Sequence, residues 1–318
     1  MKIGLVVQDG CFGGGVAALL DILQTAELVR GDVDTSIPPF EVSVAAPRRR
    51  VTASNGMMIA APRTLSELGD LEVVVVPALF TLTGPDTEAS VDSPSGRSIV
   101  RALRSVDPSR TQLAAACTGV FALAETGMLE DRRVTTTWFL APTFVARYPR
   151  VHLELDRMVV ADGAMLTAGA AFAHIDLALA LLQGVSASLT QHVARLLLLD
   201  ERPSQGAFVS YALLEHEDPI VLAFERYVRD HLSEPFDTTR VAAAIGASRR
   251  TLERRTRQVI GLSPLGIVHR LRLERAQHLR RTTALSTEAI ARQIGYANAE
   301  TLRALERTAR GQNLHPNR

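Results

Sequence analysis

Two stretches of the 318-residue chain repeat one pattern: VAAAIGASRRTLERR at 241–255 and IARQIGYANAETLRA at 290–304. Each carries Ile-Gly at the end of a short helical segment and Thr-Leu inside the segment that follows. Glycine enters the left-handed conformation at little cost, so it stops a helix where a sharp turn is wanted. In the first copy Val241, Ala242 and Ile245 give one apolar face, Gly246 ends the helix and Ser248 is suited to cap the next. On that next helix Arg250, Arg254 and Arg257 fall on one face, with Leu252, Thr256 and Val259 roughly opposite. Pro264 at a helix N1 position begins a connecting helix to about Arg281, burying Leu271 and Ala276. Ser286 caps the helix Thr287–Ile294, and a last helix runs from Asn298 or Ala299 to about Arg310. The spacing predicts an all-α region with two helix-turn-helix units.

Charge is divided along the chain. Residues 1–215 hold 17 Lys+Arg against 23 Asp+Glu, a balance of −6, whereas residues 216–318 hold 18 Arg against 11 Asp+Glu, a balance of +7. An acidic body joined to a basic module suggests that the module binds a polyanion. A single basic helix face is often only solvated; its place in a duplicated helix-turn-helix favours double-stranded DNA. Arg249, Arg250, Arg254 and Arg257 are expected to divide between base edges and phosphates, with Arg249, Arg250 and Glu253 at the penetrating start of the helix. Asn298, Glu300, Thr301 and Arg303 hold the equivalent surface of the second, less basic unit, so the first should dominate affinity. A connecting helix of about 17 residues spans roughly 26 Å. With its flanking turns it can set two recognition helices near one DNA turn apart, about 34 Å.

The first two thirds read differently. Short apolar runs at 3–7, 40–45, 71–77 and 113–116 alternate with helical segments at 16–28, 95–105 and 120–126. The continuous valines of LEVVVVP suit a parallel strand covered on both faces. Val134–Thr136 is a further strand candidate, Phe139–Arg147 a helix, and Met158–Ala161 with Ala164–Thr167 a hairpin around Asp162-Gly163. Helices at 170–182 and 188–199 end the region. Alternating strands and helices predict an α/β domain with a mainly parallel sheet, which binds ligands beyond the carboxyl ends of its strands. Asp9–Gly15, with the glycine triplet Gly13–Gly15 read as a loop, and Cys117–Gly119 both lie at that edge. The organisation expected is a domain at 1–199, a polar, proline-bounded linker at 200–219 and a helical domain at 220–318, starting with a helix at 220–232.

GLSPLGIVHRLRLERAQHLR and IARQIGYANAETLR resemble the DNA-binding domain of AraC/XylS-type transcription regulators over residues 220–310. The tail ALERTARGQNLHPNR departs from that family's usual finish. AAACTGVFALAETGMLEDRRVTTTW and LTAGAAFAHIDLALALL resemble the DJ-1/PfpI group of class I glutamine-amidotransferase-like domains over residues 1–185, in the version fused to AraC-type regulators. The resemblance implies a flavodoxin-like fold with Cys117 at a strand-to-helix elbow. It implies a ligand region around Asp9, Gly14, Cys117, Thr118, Gly119, Trp138 and Gly169, and a homodimer.

A helix N-terminus can lower a thiol pKa. The family's enzymes add a histidine and an early acidic residue. Here Thr118 follows the cysteine, CFGGGVAA offers no carboxylate, and Thr137 stands where many fused regulators have histidine. No catalytic residue is therefore assigned. Two cysteines are too few for a disulfide framework, and the eight histidines form no metal-binding motif, so neither metal nor cofactor is expected. His174 and Asp176 read as structural, Cys11 as packing, and Trp138 as core or pocket wall. The N-terminus has no signal-peptide pattern and no apolar run is long enough to span a membrane, which suggests the cytoplasm. The expected function is a transcription regulator controlled by a small-molecule effector, meeting RNA polymerase if it activates. The alternatives are a cysteine-dependent hydrolase or hydratase with a DNA-binding tail, or an N-terminal domain that only dimerises.

Overall fold

The computed structural model describes residues 1–155, 157–200, 202, 205, 218–260, 262–283 and 285–311. The chain divides into two compact units, Met1–Gly206 and Ala207–Arg318. Most of the stretch expected as a linker, and residues 312–318 of the divergent tail, lie outside the described residues.

In the first unit the elements run β1 (Lys2–Val6), α1 (Gly13–Val33), β2 (Glu41–Ala46), β3 (Arg50–Thr52), β4 (Met58–Ala60), β5 (Arg63–Thr64), β6 (Val73–Val76), α2 (Gly84–Asp92), α3 (Pro94–Arg104), β7 (Gln112–Ala116), α4 (Gly119–Ala124), β8 (Arg133–Val134), α5 (Ala141–Arg147), β9 (His152–Leu153), β10 (Val159–Asp162), β11 (Met165–Ala168), α6 (Ala173–Gln183) and α7 (Ala187–Leu196). Seven strands form one sheet in the order β10-β11-β7-β6-β1-β2-β5. Every pairing in it is parallel except the β10–β11 hairpin. The valine run is the clearest case of local sequence fixing position. Side chains alternate across a strand, so Val73 and Val75 enter the core with α1 and α6, while Val74 and Val76 enter the core with α3 and α4. Leu5 and Val6 divide between the same two cores.

Several expectations need correction. Gly13–Gly15 is not a loop: it forms the first turn of α1. The expected strand 134–136 ends at Val134, and Thr135 and Thr136 belong to no strand. The expected helix from Phe139 is a 3-10 turn, Trp138–Leu140, leading into α5.

The second unit is helical: α8 (Pro219–Asp230), α9 (Thr238–Ala244), α10 (Arg249–Ile260), α11 (Pro264–Thr282), α12 (Thr287–Gln293) and α13 (Ala299–Gly311). Gly246 and Gly295 end α9 and α12 at φ +72° and +86°. Asp237, Ser248, Ser263, Ser286 and Asn298 each accept a backbone N–H in the first turn of the following helix. These caps satisfy donors that a helix start leaves without intrahelical partners. Leu252, Thr256 and Ile260 are the buried side of α10, and Val259 is half-buried. α11 buries the charged side chain of Arg272. Its guanidinium donates to the Leu232 carbonyl at 3.0 Å and the Glu234 carbonyl at 2.5 Å, and lies 4.9 Å from the centre of the Tyr296 ring. One side chain thus joins the chain after α8 to the turn after α12.

Candidate functional site

The loops after β1, β6 and β7 meet at the carboxyl edge of the sheet. Cys11 and Leu79 form an isolated antiparallel bridge. The Thr118 hydroxyl donates to the Leu79 carbonyl at 2.6 Å and accepts the Leu79 N–H at 2.8 Å. Phe12 N–H donates to the Ala78 carbonyl, and Ala78 N–H donates to His174 Nε2 at 3.0 Å. Gly119 must lack a side chain, since a Cβ there would lie 2.3 Å from the Val76 carbonyl oxygen. The glycines of α1 serve the same close packing: a Cβ on Gly15 would stand 2.6 Å from the His174 ring, and one on Gly13 2.6 Å from the Asn55 amide.

Cys117 sits on the elbow between β7 and α4 with φ +53°, a left-handed conformation that costs a non-glycine residue about 1–3 kcal/mol. Its N–H donates to the Ala168 carbonyl at 2.8 Å, and its carbonyl accepts the Thr136 hydroxyl at 2.7 Å. These bonds on both sides hold the strained residue. Burial works against the activation that an elbow at a helix start suggests. Burial pushes its pKa up to about 11, and the Thr118 N–H and the Thr137 and Thr118 hydroxyls oppose this by less. Among the described residues, no histidine or carboxylate is one of the groups acting on it. The Thr137 hydroxyl is buried, and the Cys117 thiol is the group it acts on.

The structure brings Cys117, Thr118, Gly119 and Gly169 together through Ala168, the last residue of β11. Asp9 is directed elsewhere: its carboxylate accepts the Thr52 N–H at 2.8 Å and faces Arg48 at 3.7 Å. Gly14 faces the Phe12 ring. Trp138 is half-buried, edge-on to Phe139. His174 is a wholly buried structural residue.

Two residues beyond α7 belong to this region and were not expected there. Arg202 pairs with Asp176 and donates to the Phe172 carbonyl. Gln205 is fully buried and donates to the Thr135 hydroxyl, the Thr136 carbonyl and the Arg157 carbonyl at 3.0, 3.0 and 3.4 Å. Nothing local in the sequence marks them, because their partners lie 26 to 70 residues earlier. Phe12, the exposed Phe80 and the exposed Phe172 form an aromatic group beside His174.

On α10, Arg249, Arg250, Arg254 and Arg257 are all exposed. Arg249 pairs with Glu253 at 2.8 Å, so those two act as one unit, and Arg250, Arg254 and Arg257 have no carboxylate partner among the described residues. Arg255, off this face, pairs with Asp218 at 2.7 Å. On the second unit Asn298, Glu300, Thr301 and Arg303 are exposed. Asn298 is spent on capping α13 through Thr301, and Arg303 faces Glu288 at 3.8 Å.

An α/β sheet with a cysteine elbow and a paired helix-turn-helix module define a DJ-1-type protein with an AraC-type reader on one chain. The chain belongs to the DJ-1/PfpI family, which matches residues 20–184, and a helix-turn-helix domain matches residues 241–314. It is similar to the HTH-type transcriptional regulator CdhR of Pseudomonas aeruginosa, with 30% identity over 77% of this chain and 71% of the relative. It is also similar to the HTH-type transcriptional regulator GlxA of Rhizobium meliloti, with 24% identity over 93% of this chain and 89% of the relative. Among solved structures, Drosophila melanogaster DJ-1beta shares the fold over 63% of this chain and 98% of its own, at 21% identity and TM-score 0.51. An AraC family transcriptional regulator from Pseudomonas putida does so over 62% and 98%, at 18% identity and TM-score 0.50.

Proposed function

We propose that this protein is a sequence-specific, DNA-binding transcription regulator whose α/β domain responds to a small molecule bound near Cys117. The observation that carries the reading is the exposed row of Arg250, Arg254 and Arg257, without a carboxylate partner among the described residues, on the second helix of a duplicated helix-turn-helix. The first helix-turn-helix supplies most of the DNA affinity, because Asn298 and Arg303 of the second helix-turn-helix have local partners. Sensing belongs to about residues 1–199, extended by Arg202 and Gln205, and DNA reading to 220–318. The protein works in the cytoplasm as a homodimer. An effector acts by favouring one arrangement of the DNA-binding domains over another, which requires it to bind the two arrangements unequally. RNA polymerase is a further partner if the protein activates.

The competing reading, a hydrolase or hydratase using Cys117, requires a base at the sulfur. The thiol's surroundings of Thr118 and Thr137 and its raised pKa favour regulation instead. The test is to screen metabolites for thermal stabilisation of the full chain, then measure operator affinity with and without each hit. Ligand-dependent operator affinity supports the reading; ligand turnover abolished by Cys117→Ser would overturn it.

A further inference from the structure

Gln205 is placed as a bound ligand would be. Its side chain is fully buried, yet it comes from the last residues of the first unit, beyond α7. Its Nε2 meets three oxygens contributed by two separate segments: the Thr135 hydroxyl, the Thr136 carbonyl and the Arg157 carbonyl. The Thr135 hydroxyl gives its own proton to the Arg157 carbonyl at 3.0 Å, so it faces Nε2 with a lone pair. The fourth wall is Gly169, where a Cβ would lie 2.5 Å from the Gln205 amide, so the backbone is bare where the amide lies flat. Among the described residues the Gln205 Oε1 atom is buried without a hydrogen bond. A buried carbonyl oxygen left unpaired is costly, so the Nε2 end of the amide is matched by its surroundings and the Oε1 end is not. Thr136 connects this place directly to the Cys117 carbonyl.

We propose that the pocket walled by Thr135, Thr136, Arg157 and Gly169 is a ligand site for a primary carboxamide. Gln205 fills it as a tethered surrogate that the ligand displaces. Three neutral oxygens converging on one NH2, with no carboxylate among them, select an uncharged donor over an ammonium group and reject a carboxylate. Displacement releases Gln205, which stands 14 residues before α8 in the chain. The proposal rests on the reading of the first unit as a sensor and supplies the chemical class of the effector's head group.

Gln205→Ala removes the portion of the side chain that acetamide reproduces, so the full-length variant tests the site directly. The variant should melt several degrees below the wild type, and 50 mM acetamide should restore at least half of the loss. The same concentration of acetate should restore none, and wild type should shift little with either. In Gln205→Glu, which faces the three oxygens with an oxygen of its own, chymotrypsin should cut after Phe208 at least fivefold faster than in wild type. A Gln205→Ala variant unaffected in melting, or rescued equally by acetamide and acetate, overturns the site, as does unchanged cleavage of Gln205→Glu. Operator affinity of Gln205→Ala separates the two readings. If acetamide rescues melting but no combination alters operator binding, the pocket stands and regulation through it falls.

Discussion

His174 Nε2 accepts the Ala78 N–H at 3.0 Å, which fixes the imidazole as the neutral tautomer with its proton on Nδ1, directed at the Ala171 carbonyl. A second proton would have to go on Nε2, against an N–H that already points there. Desolvation of the buried ring lowers its pKa to about 4, with the Ala171 carbonyl opposing.

Stability of the first unit should therefore fall in mild acid. The folded pKa of His174 lies below the unfolded value, so between the two the unfolded chain binds more protons and stability rises with pH. The contribution is complete above about 6.5, is lost as pH falls toward about 4, and amounts to on the order of 3 kcal/mol. Urea unfolding of the full chain between pH 7 and 4 measures it. His174→Gln should flatten the dependence, and an equally steep profile in that variant would contradict the assignment.

Cys117 and Cys11 should both be poor nucleophiles. Burial raises each thiol to about 11, leaving about a hundredfold less thiolate at neutral pH than a thiol of pKa near 9. Iodoacetamide labelling at pH 7.5, followed by mass spectrometry, should be slow in the native chain and ordinary in urea. Cys117→Ser should leave operator affinity within about twofold of wild type. Rapid native alkylation at Cys117 would instead mark an activated thiol.

Arg272→Met keeps the apolar stem and removes the guanidinium that satisfies the Leu232 and Glu234 carbonyls. Losing those bonds should cost about 2–4 kcal/mol, read as a lower denaturant midpoint for the second unit. A loss below about 0.5 kcal/mol would mean that water replaces the side chain there.

The parts of this fold that were legible were those set by near neighbours in sequence. The valines 73–76 announce a strand buried on both faces, and Ile-Gly followed by a serine or asparagine cap marks each helix-turn-helix. Gly13–Gly15 misleads because glycine is a poor helix former; it is used there so that His174 and Asn55 can press against the helix. The β3–β4 hairpin escapes notice because its three-residue strands, RVT and MIA, each bury a single side chain. Nothing near Arg272 in the sequence marks it as buried, and Gln205 reads as part of a linker, until partners 38 to 70 residues away are known. The elbow at Cys117 is visible in sequence, whereas its protonation is not, because burial from all sides decides the thiol pKa.

The most direct test of DNA reading by α10 is fluorescence anisotropy of the full-length protein on duplexes it selects from a random pool. Wild type should enrich a defined sequence. Arg250→Ala and Arg254→Ala should each bind it about tenfold or more weakly at moderate salt, since one good base contact is worth about 1–3 kcal/mol and a lost phosphate contact lowers the salt slope by about one. Enrichment of no sequence, or wild-type affinity and salt dependence in both variants, would contradict the assignment of α10 as the helix that reads DNA.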